Sequence, residues 1–269
     1  MIKIGIVGCG TIGSSLGKAI QKRFSQYARV AYVSDIFDEQ IKKFRKKVIN
    51  RSILEISVKE LVEKSDFIIE AACPDVAKAI IPKILQCHKQ ALILSVGGVI
   101  QIKNLERLLQ KSRGCIYIPS GAIAGVDALL ACKGASIKRV RITTRKPVRS
   151  LLGAPFMKKA KNELNKIRKT TLIFEGTAEQ AVRYFPQNIN VAATLSLAGV
   201  GSKRTLVRIY TSPTYRFNSH EIEIEGDFGR IHSKVTNIPS EENPKTSALA
   251  IGSAIATLGK IFSRLKVGT

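Results

Sequence analysis

Lys3-Ile4-Gly5-Ile6-Val7-Gly8-Cys9-Gly10-Thr11-Ile12-Gly13 is the stretch on which the reading of the whole chain turns. Ile4, Ile6 and Val7 form an apolar run with the length and residue types of a buried parallel strand. The run stops at Gly8, and a helical spacing follows through Leu16, Ile20 and Phe24. Between the two lies G-x-G-x-x-G at Gly8, Gly10 and Gly13, with Thr11 and Ile12 opening the helix. Gly8 permits a tight strand-to-helix turn, and Gly10 lets a pyrophosphate approach bare backbone. Gly13 lets helix and strand pack closely, and the helix N-terminus offers its unpaired N–H groups to phosphate. Asp35 ends a second apolar run, Val30-Ala31-Tyr32-Val33, where a carboxylate takes ribose hydroxyls. With Asp35 present and no Arg at 36 or 37, the pattern favours NAD as cofactor, with NADP as the alternative.

A chain of 269 residues, 45% of them apolar, is large enough for two domains. No run approaches the ~20 apolar residues that span a bilayer, and the first strand begins at once, so neither a membrane role nor a signal peptide is expected. Cys9, Cys73, Cys87, Cys115 and Cys132 are odd in number, without CxxC spacing or neighbouring His. That pattern predicts reduced core thiols in a cytoplasmic protein, and no metal site. Forty-four Lys+Arg against 20 Asp+Glu give a net charge of +24, which suits anionic ligands. The bases are spread over 41–47, 138–149 and 158–169 with no nucleic-acid-reading motif, so solvated helix and strand faces are the expectation and a specific nucleic-acid partner is not.

Residues 1–118 alternate strand and helix: strands at 66–72, 91–96 and 115–118, helices at about 38–47, from Pro74, and at 105–109. Alternation of this kind predicts a parallel, doubly wound sheet. Ligands bind beyond the carboxyl ends of such strands, which brings Ala72 and Cys73, the 95–98 turn and the 119–124 loop to the cofactor. From 119 to 245 the pattern becomes mixed α+β, with strands at 140–143, 172–174, 205–210 and 220–225 and a hairpin through Gly226–Gly229 to 230–235. Thr177 and Gln180 read as a capping box on a helix that breaks at Pro186 and resumes at Asn190. A basic amphipathic helix is expected over 156–170. A final helix from Thr246 to about Leu265 is expected to pack back on the first domain.

Among three histidines, His88 reads as an exposed helix end and His232 as a hairpin face residue. His220 begins a strand after a loop and is the acid–base candidate. Gln187, Asn188 and Asn190 flank the helix break, where amide side chains can meet a nicotinamide carboxamide. Lys245, Thr246 and Ser247, before the final helix, read as a carboxylate cradle.

The succession GCGTIG, Asp35, EAACPD, SVGG, PSGAIAG, FPQNINVAATL, NSHEIEIEGDFG and NPKTSALA resembles the L-aspartate dehydrogenase family over nearly the whole chain. The resemblance implies a homodimeric, NAD- or NADP-dependent enzyme of two domains, an N-terminal Rossmann domain and an α+β catalytic and dimerisation domain. Such an enzyme oxidises L-aspartate to iminoaspartate, which goes on to oxaloacetate and ammonia or feeds NAD biosynthesis. The family's catalytic histidine falls on His220, and its cofactor contacts beyond the glycine loop fall on Ala124 and Asn190. Its substrate site falls on Ser120, Asn188, Lys245, Thr246 and Ser247. Two rivals remain at this point: another two-domain oxidoreductase of the homoserine dehydrogenase or dihydrodipicolinate reductase kind, and a non-enzymatic dinucleotide-sensing basic protein.

Overall fold

The computed structural model describes residues 1–49, 52–151, 167–185 and 189–268, apart from the side chains of Pro244 and Lys245. These residues divide into two compact units, one of residues 1–119 and 251–267 and one of residues 120–250 with the extreme C-terminus.

In the first unit β1 (Ile2–Val7), β2 (Ala28–Ser34), β3 (Leu54–Glu55), β4 (Phe67–Glu70), β5 (Gln90–Ile93) and β6 (Ile116–Tyr117) form a parallel sheet in the order β3-β2-β1-β4-β5-β6. This is the doubly wound Rossmann order, and β1 lies where the winding reverses. Helices α1 (Thr11–Arg23), α2 (Asp38–Lys47), α3 (Val58–Lys64), α4 (Pro74–Gln86), α5 (Val96–Val99) and α6 (Leu105–Lys111) connect the strands. Ser57 and Glu60 cap α3 reciprocally, which fixes where that helix starts. Ile4, Ile6, Leu16, Ile20, Val33, Phe44 and Ile69 are buried in one cluster.

The second unit is built on a mixed sheet. Its strands are β7 (Ile137–Pro147), β8 (Thr171–Thr177), β9 (Thr205–Ser212), β10 (Asn218–Gly226) and β11 (Gly229–Asn237), in the order β11-β10-β7-β9-β8. β7 and β9 run parallel, whereas β10 is antiparallel to both β7 and β11. The hairpin at Gly226–Gly229 therefore forms as read. Helices α7 (Val126–Ala131), α8 (Ala178–Tyr184) and α9 (Asn190–Ala198) complete the unit. The capping box at Thr177 and Gln180 starts α8.

Three expectations are corrected. The strand predicted over 91–96 ends at Ile93, because Val96–Val99 close into a helical turn that contains both glycines. The final helix, α10 (Ala248–Phe262), starts later than Thr246. Asn243–Ser247 are instead extended as β13, paired with β12 (Pro239–Ser240) and held by Ser240 Oγ, which accepts from Asn243 N–H at 3.2 Å. Of the five thiols only Cys9 and Cys132 are buried, and Cys73 and Cys115 are exposed at the ends of elements. The expected basic helix falls largely in 152–166, outside the described residues. From Ile251 onward α10 belongs to the first unit: Ala254 and Leu258 are fully buried in its core, and Phe262 packs on Phe24 and Tyr27.

One buried carboxylate ties the strand ends of the first unit together. Glu70 Oε1 accepts from Ala72 N–H at 2.8 Å and from Ser95 Oγ at 2.8 Å, and Oε2 accepts from Ser95 N–H at 3.0 Å. Burial raises the Glu70 pKa, and the hydrogen bonds oppose that shift. Glu70→Ala would strand two backbone N–H groups and a hydroxyl, so urea denaturation should show a loss of about 2–4 kcal/mol. Glu70→Gln should fall between, since an amide NH2 cannot accept the Ser95 N–H.

Candidate active site

The N-terminal loop has the geometry that the glycine spacing requires. Gly8 has φ +95°, and a Cβ there would lie 2.6 Å from the Ala71 carbonyl. A Cβ on Gly13 would lie 2.0 Å from Gly8 O, whereas one on Gly10 would meet nothing within 4 Å. The first and third glycines are thus demanded by close backbone packing, and the second faces open space. Thr11 begins α1, Ile12 packs against the core, and Gly10 caps the helix with no side chain. By helix geometry the first N–H groups of α1 lack intrahelical partners, and no acidic residue stands in the first turn. This cradle fits the phosphates of a dinucleotide.

Asp35, just past β2, sits beside the loop. Its Oδ2 accepts from Cys9 N–H at 2.7 Å and its Oδ1 from Phe37 N–H at 3.0 Å. The carboxylate is therefore fixed in place with lone pairs left over for hydroxyls. Burial, and then the charge of Asp35, pushes the Cys9 thiol up to about 12, so that sulfur stays protonated. Cys73 is the N-cap of α4, and it and Ala72 are exposed at the end of β4. Ala72 N–H is already committed to Glu70.

In the second unit strand alternation decides which way each side chain points. Glu221, Glu223 and Glu225 on β10 meet Arg145, Arg141 and Arg139 on β7; Arg230 joins Glu225, and His232 lies 2.8 Å from Glu221. That ladder occupies one face. His220, Ile222 and Ile224 take the other, opposite Thr144, Ile142 and Val140. His220 is 5% exposed, and its Nδ1 lies 3.0 Å from Thr144 Oγ1. Burial, and then the charge of Lys146, lowers its pKa to about 3, so the ring is neutral across the ordinary pH range.

The 119–124 loop is held by side chains that the sequence reading did not single out. Asn237, 3% exposed, donates from Nδ2 to Ala122 O at 3.0 Å, and its Oδ1 accepts from Ser247 Oγ at 2.7 Å. Ser233 Oγ donates to Ala124 O at 2.8 Å. Ala122 is buried and Ala124 exposed, while Ser120 and Thr246 are half-buried. Asn190 is the first residue of α9. Asn188 and the Lys245 side chain lie outside what is described. His88, exposed at a left-handed turn with φ 53°, accepts from Arg113 N–H and serves that turn. Glu221, Glu223 and His232 lie close enough to suggest a metal, but both glutamates are already paired with arginines and His232 with Glu221.

The residue missed outright is Lys146. It belongs to a basic strand read as a solvated face, yet it is 6% exposed. Val140 and Ile142 set the inward positions, and extending their alternation to Thr144 and Lys146 is the signal that would have found it.

Residues 127–261 match the family described as "Aspartate dehydrogenase, C-terminal", and residues 8–119 match "Homoserine dehydrogenase, NAD binding domain". The L-aspartate dehydrogenase of Methanosarcina barkeri is 42% identical, and that of Nitrosopumilus maritimus 37% identical, each over 100% of both chains. The crystal structure of aspartate dehydrogenase from Thermotoga maritima matches with a TM-score of 0.76 at 26% identity, covering 100% of both chains. A scyllo-inositol dehydrogenase from Lactobacillus casei, with a TM-score of 0.55 at 13% identity and coverage of 99% of this chain and 91% of its own, shares the fold. Among the described residues no helix is long and apolar enough to cross a membrane. The match of residues 127–261 to the aspartate dehydrogenase C-terminal family, of residues 8–119 to an NAD-binding domain and end-to-end similarity to the L-aspartate dehydrogenases place the chain in the L-aspartate dehydrogenase family of NAD(P)-dependent dehydrogenases.

Proposed function

We propose that this chain oxidises L-aspartate to iminoaspartate, with NAD preferred over NADP, and that the imine is hydrolysed to oxaloacetate and ammonia or passed on to NAD biosynthesis. The observation that carries the reading is a neutral histidine, buried on a sheet face and held by a threonine hydroxyl, in a chain that also has a complete dinucleotide loop. The dinucleotide, when bound, accepts the hydride from the substrate Cα.

The chain's own groups handle binding and protons. The first-turn amides of α1 and the backbone at Gly8 and Gly10 hold pyrophosphate, and Asp35 takes the ribose hydroxyls. A ribose 2′-phosphate would meet the Asp35 carboxylate as a like charge, which is the reason for the NAD preference. Ala72, Cys73, Ala124 and Asn190 complete the cofactor set. Ser120, Asn188, Lys245, Thr246 and Ser247 are assigned to the two substrate carboxylates. When His220 Nδ1–H donates to Thr144 Oγ1, Nε2 is left as the base that activates water for attack on the imine. Burial and the nearby ammonium keep that base unprotonated. A homodimer and a cytoplasmic location complete the reading, on the family resemblance and the absence of extracellular cysteine patterning.

His220→Ala should lower kcat for L-aspartate oxidation by roughly 10²–10⁴ while leaving NADH binding intact; near-normal kcat would remove the assigned role. Asp35→Ala should weaken NAD far more than NADP in steady-state assays at 340 nm, and equal losses would sink the ribose assignment. The depressed histidine also shapes stability. The unfolded chain takes up a proton at His220 near pH 6.5, whereas the folded one does not until about 3. Stability from this group is therefore full above 6.5 and falls as pH is lowered, by about 1.4 kcal/mol per pH unit. His220→Asn should flatten that slope in denaturation curves taken between about pH 6.5 and 5.

A further inference from the structure

Lys146 stands where the scaffold alone would place an apolar side chain. On β7 the inward positions run Val140, Ile142, Thr144, Lys146, and the first two are fully buried hydrophobics. The arginines of the same strand, Arg139, Arg141 and Arg145, all point to the opposite face and meet glutamates there. Lys138, at the exposed start of the strand, pairs with Asp227, so Lys146 is the base of β7 that lies buried on the inward face. Removing an ammonium from water costs free energy that an apolar residue at this position would not incur. Burial lowers the Lys146 pKa to about 8, which still leaves the group mostly cationic at neutral pH.

Its surroundings are those of a binding corner. Lys146 follows Thr144, the partner of His220, by two residues on the same face, and its charge reaches the imidazole. Asn218 shares the β10 face of His220, and its Oδ1 is buried with no hydrogen-bond partner among the described residues. A buried acceptor without a donor is rare in folded proteins and marks a place that a ligand N–H can complete. A cation, a neutral imidazole and an open amide acceptor together match a small molecule that carries both carboxylate and nitrogen.

We propose that Lys146 is a further substrate-binding residue, whose ammonium holds one carboxylate of the dicarboxylate on the His220 face. This rests on the reading of the enzyme as one that acts on L-aspartate. It adds a cation from the middle of the sheet to the groups before α10 and accounts for a lysine where valine and isoleucine precede it.

The test compares wild type, Lys146→Met and Lys146→Arg as full-length proteins. Succinate binding to the NADH-saturated enzyme is measured by calorimetry, aspartate oxidation by steady-state kinetics, NADH affinity by fluorescence and folding by thermal melting. Lys146→Met should weaken succinate roughly 10- to 100-fold and raise the KM for aspartate by a similar factor, with NADH affinity unchanged. Lys146→Arg should recover part of both. The melting temperature of Lys146→Met should hold or rise, because a buried ammonium is replaced by an apolar chain of similar length. A lysine kept for the scaffold would give the reverse, a lower melt with KM unmoved. Should Lys146→Met fail to fold, Lys146→Gln carries the same comparison. Succinate affinity and aspartate KM within about two-fold of wild type, or no succinate binding by wild type, overturns the proposal. If wild type forms no NADH from aspartate, the functional reading fails, and succinate affinity still decides for Lys146.

Discussion

Strict alternation along the paired strands β7 and β10 is the constraint on which the second unit depends. Successive side chains must face opposite sides of a sheet, so one register choice sorts every residue of both strands at once. Here the choice is enforced twice. Valine and isoleucine on both strands need the covered face, and arginine–glutamate pairs on the other face match only in this register. A slip of one residue would bury the ladder charges and expose His220 together with the isoleucines. The position of the catalytic candidate is therefore a consequence of packing on one side and charge pairing on the other.

The dinucleotide unit obeys a different kind of constraint, close approach of backbone to backbone. Gly8 and Gly13 sit where any side chain would collide with main-chain atoms, while Gly10 faces open space. The loops beyond β4 and β5 are joined by Glu70, whose two oxygens take three donors. A buried carboxylate with its lone pairs engaged holds such loops more firmly than apolar contact, because breaking it strands several polar groups together. Asp35 does the same on a smaller scale, accepting from the loop amide at Cys9 and so settling its own orientation.

Much of this was legible in the chain. The strand-glycine-helix opening, the terminal carboxylate of the second strand, the hairpin at Gly226–Gly229 and the capping box at Thr177 each rest on local rules, and each formed as read. His220 was legible as a strand-start histidine after a loop. The failures share a cause. Val96–Val99 looked like the end of a strand because apolar composition cannot distinguish a buried turn of helix from extended chain. The segment before α10 looked like a helix start because Asn, Pro and Ser favour both caps and turns, and pairing with Pro239–Ser240 decided the matter. Asn237 and Glu70 gave no local signal, since their partners are distant in sequence.

By itself the sequence determined the order of strands and helices, the class of cofactor and the residue types available for chemistry, because these follow from spacing of a few residues. Only the tertiary structure decided which charges are in water. β7 carries five bases, Lys138, Arg139, Arg141, Arg145 and Lys146, alike in charge; Lys138 stays exposed at the strand's start beside Asp227. Pairing with β10 turns three toward glutamates and leaves Lys146 on the side of His220. The physical reason is that a side chain's environment is set by what the strand pairs with across long separations in sequence, and periodicity alone does not say which face the fold will cover.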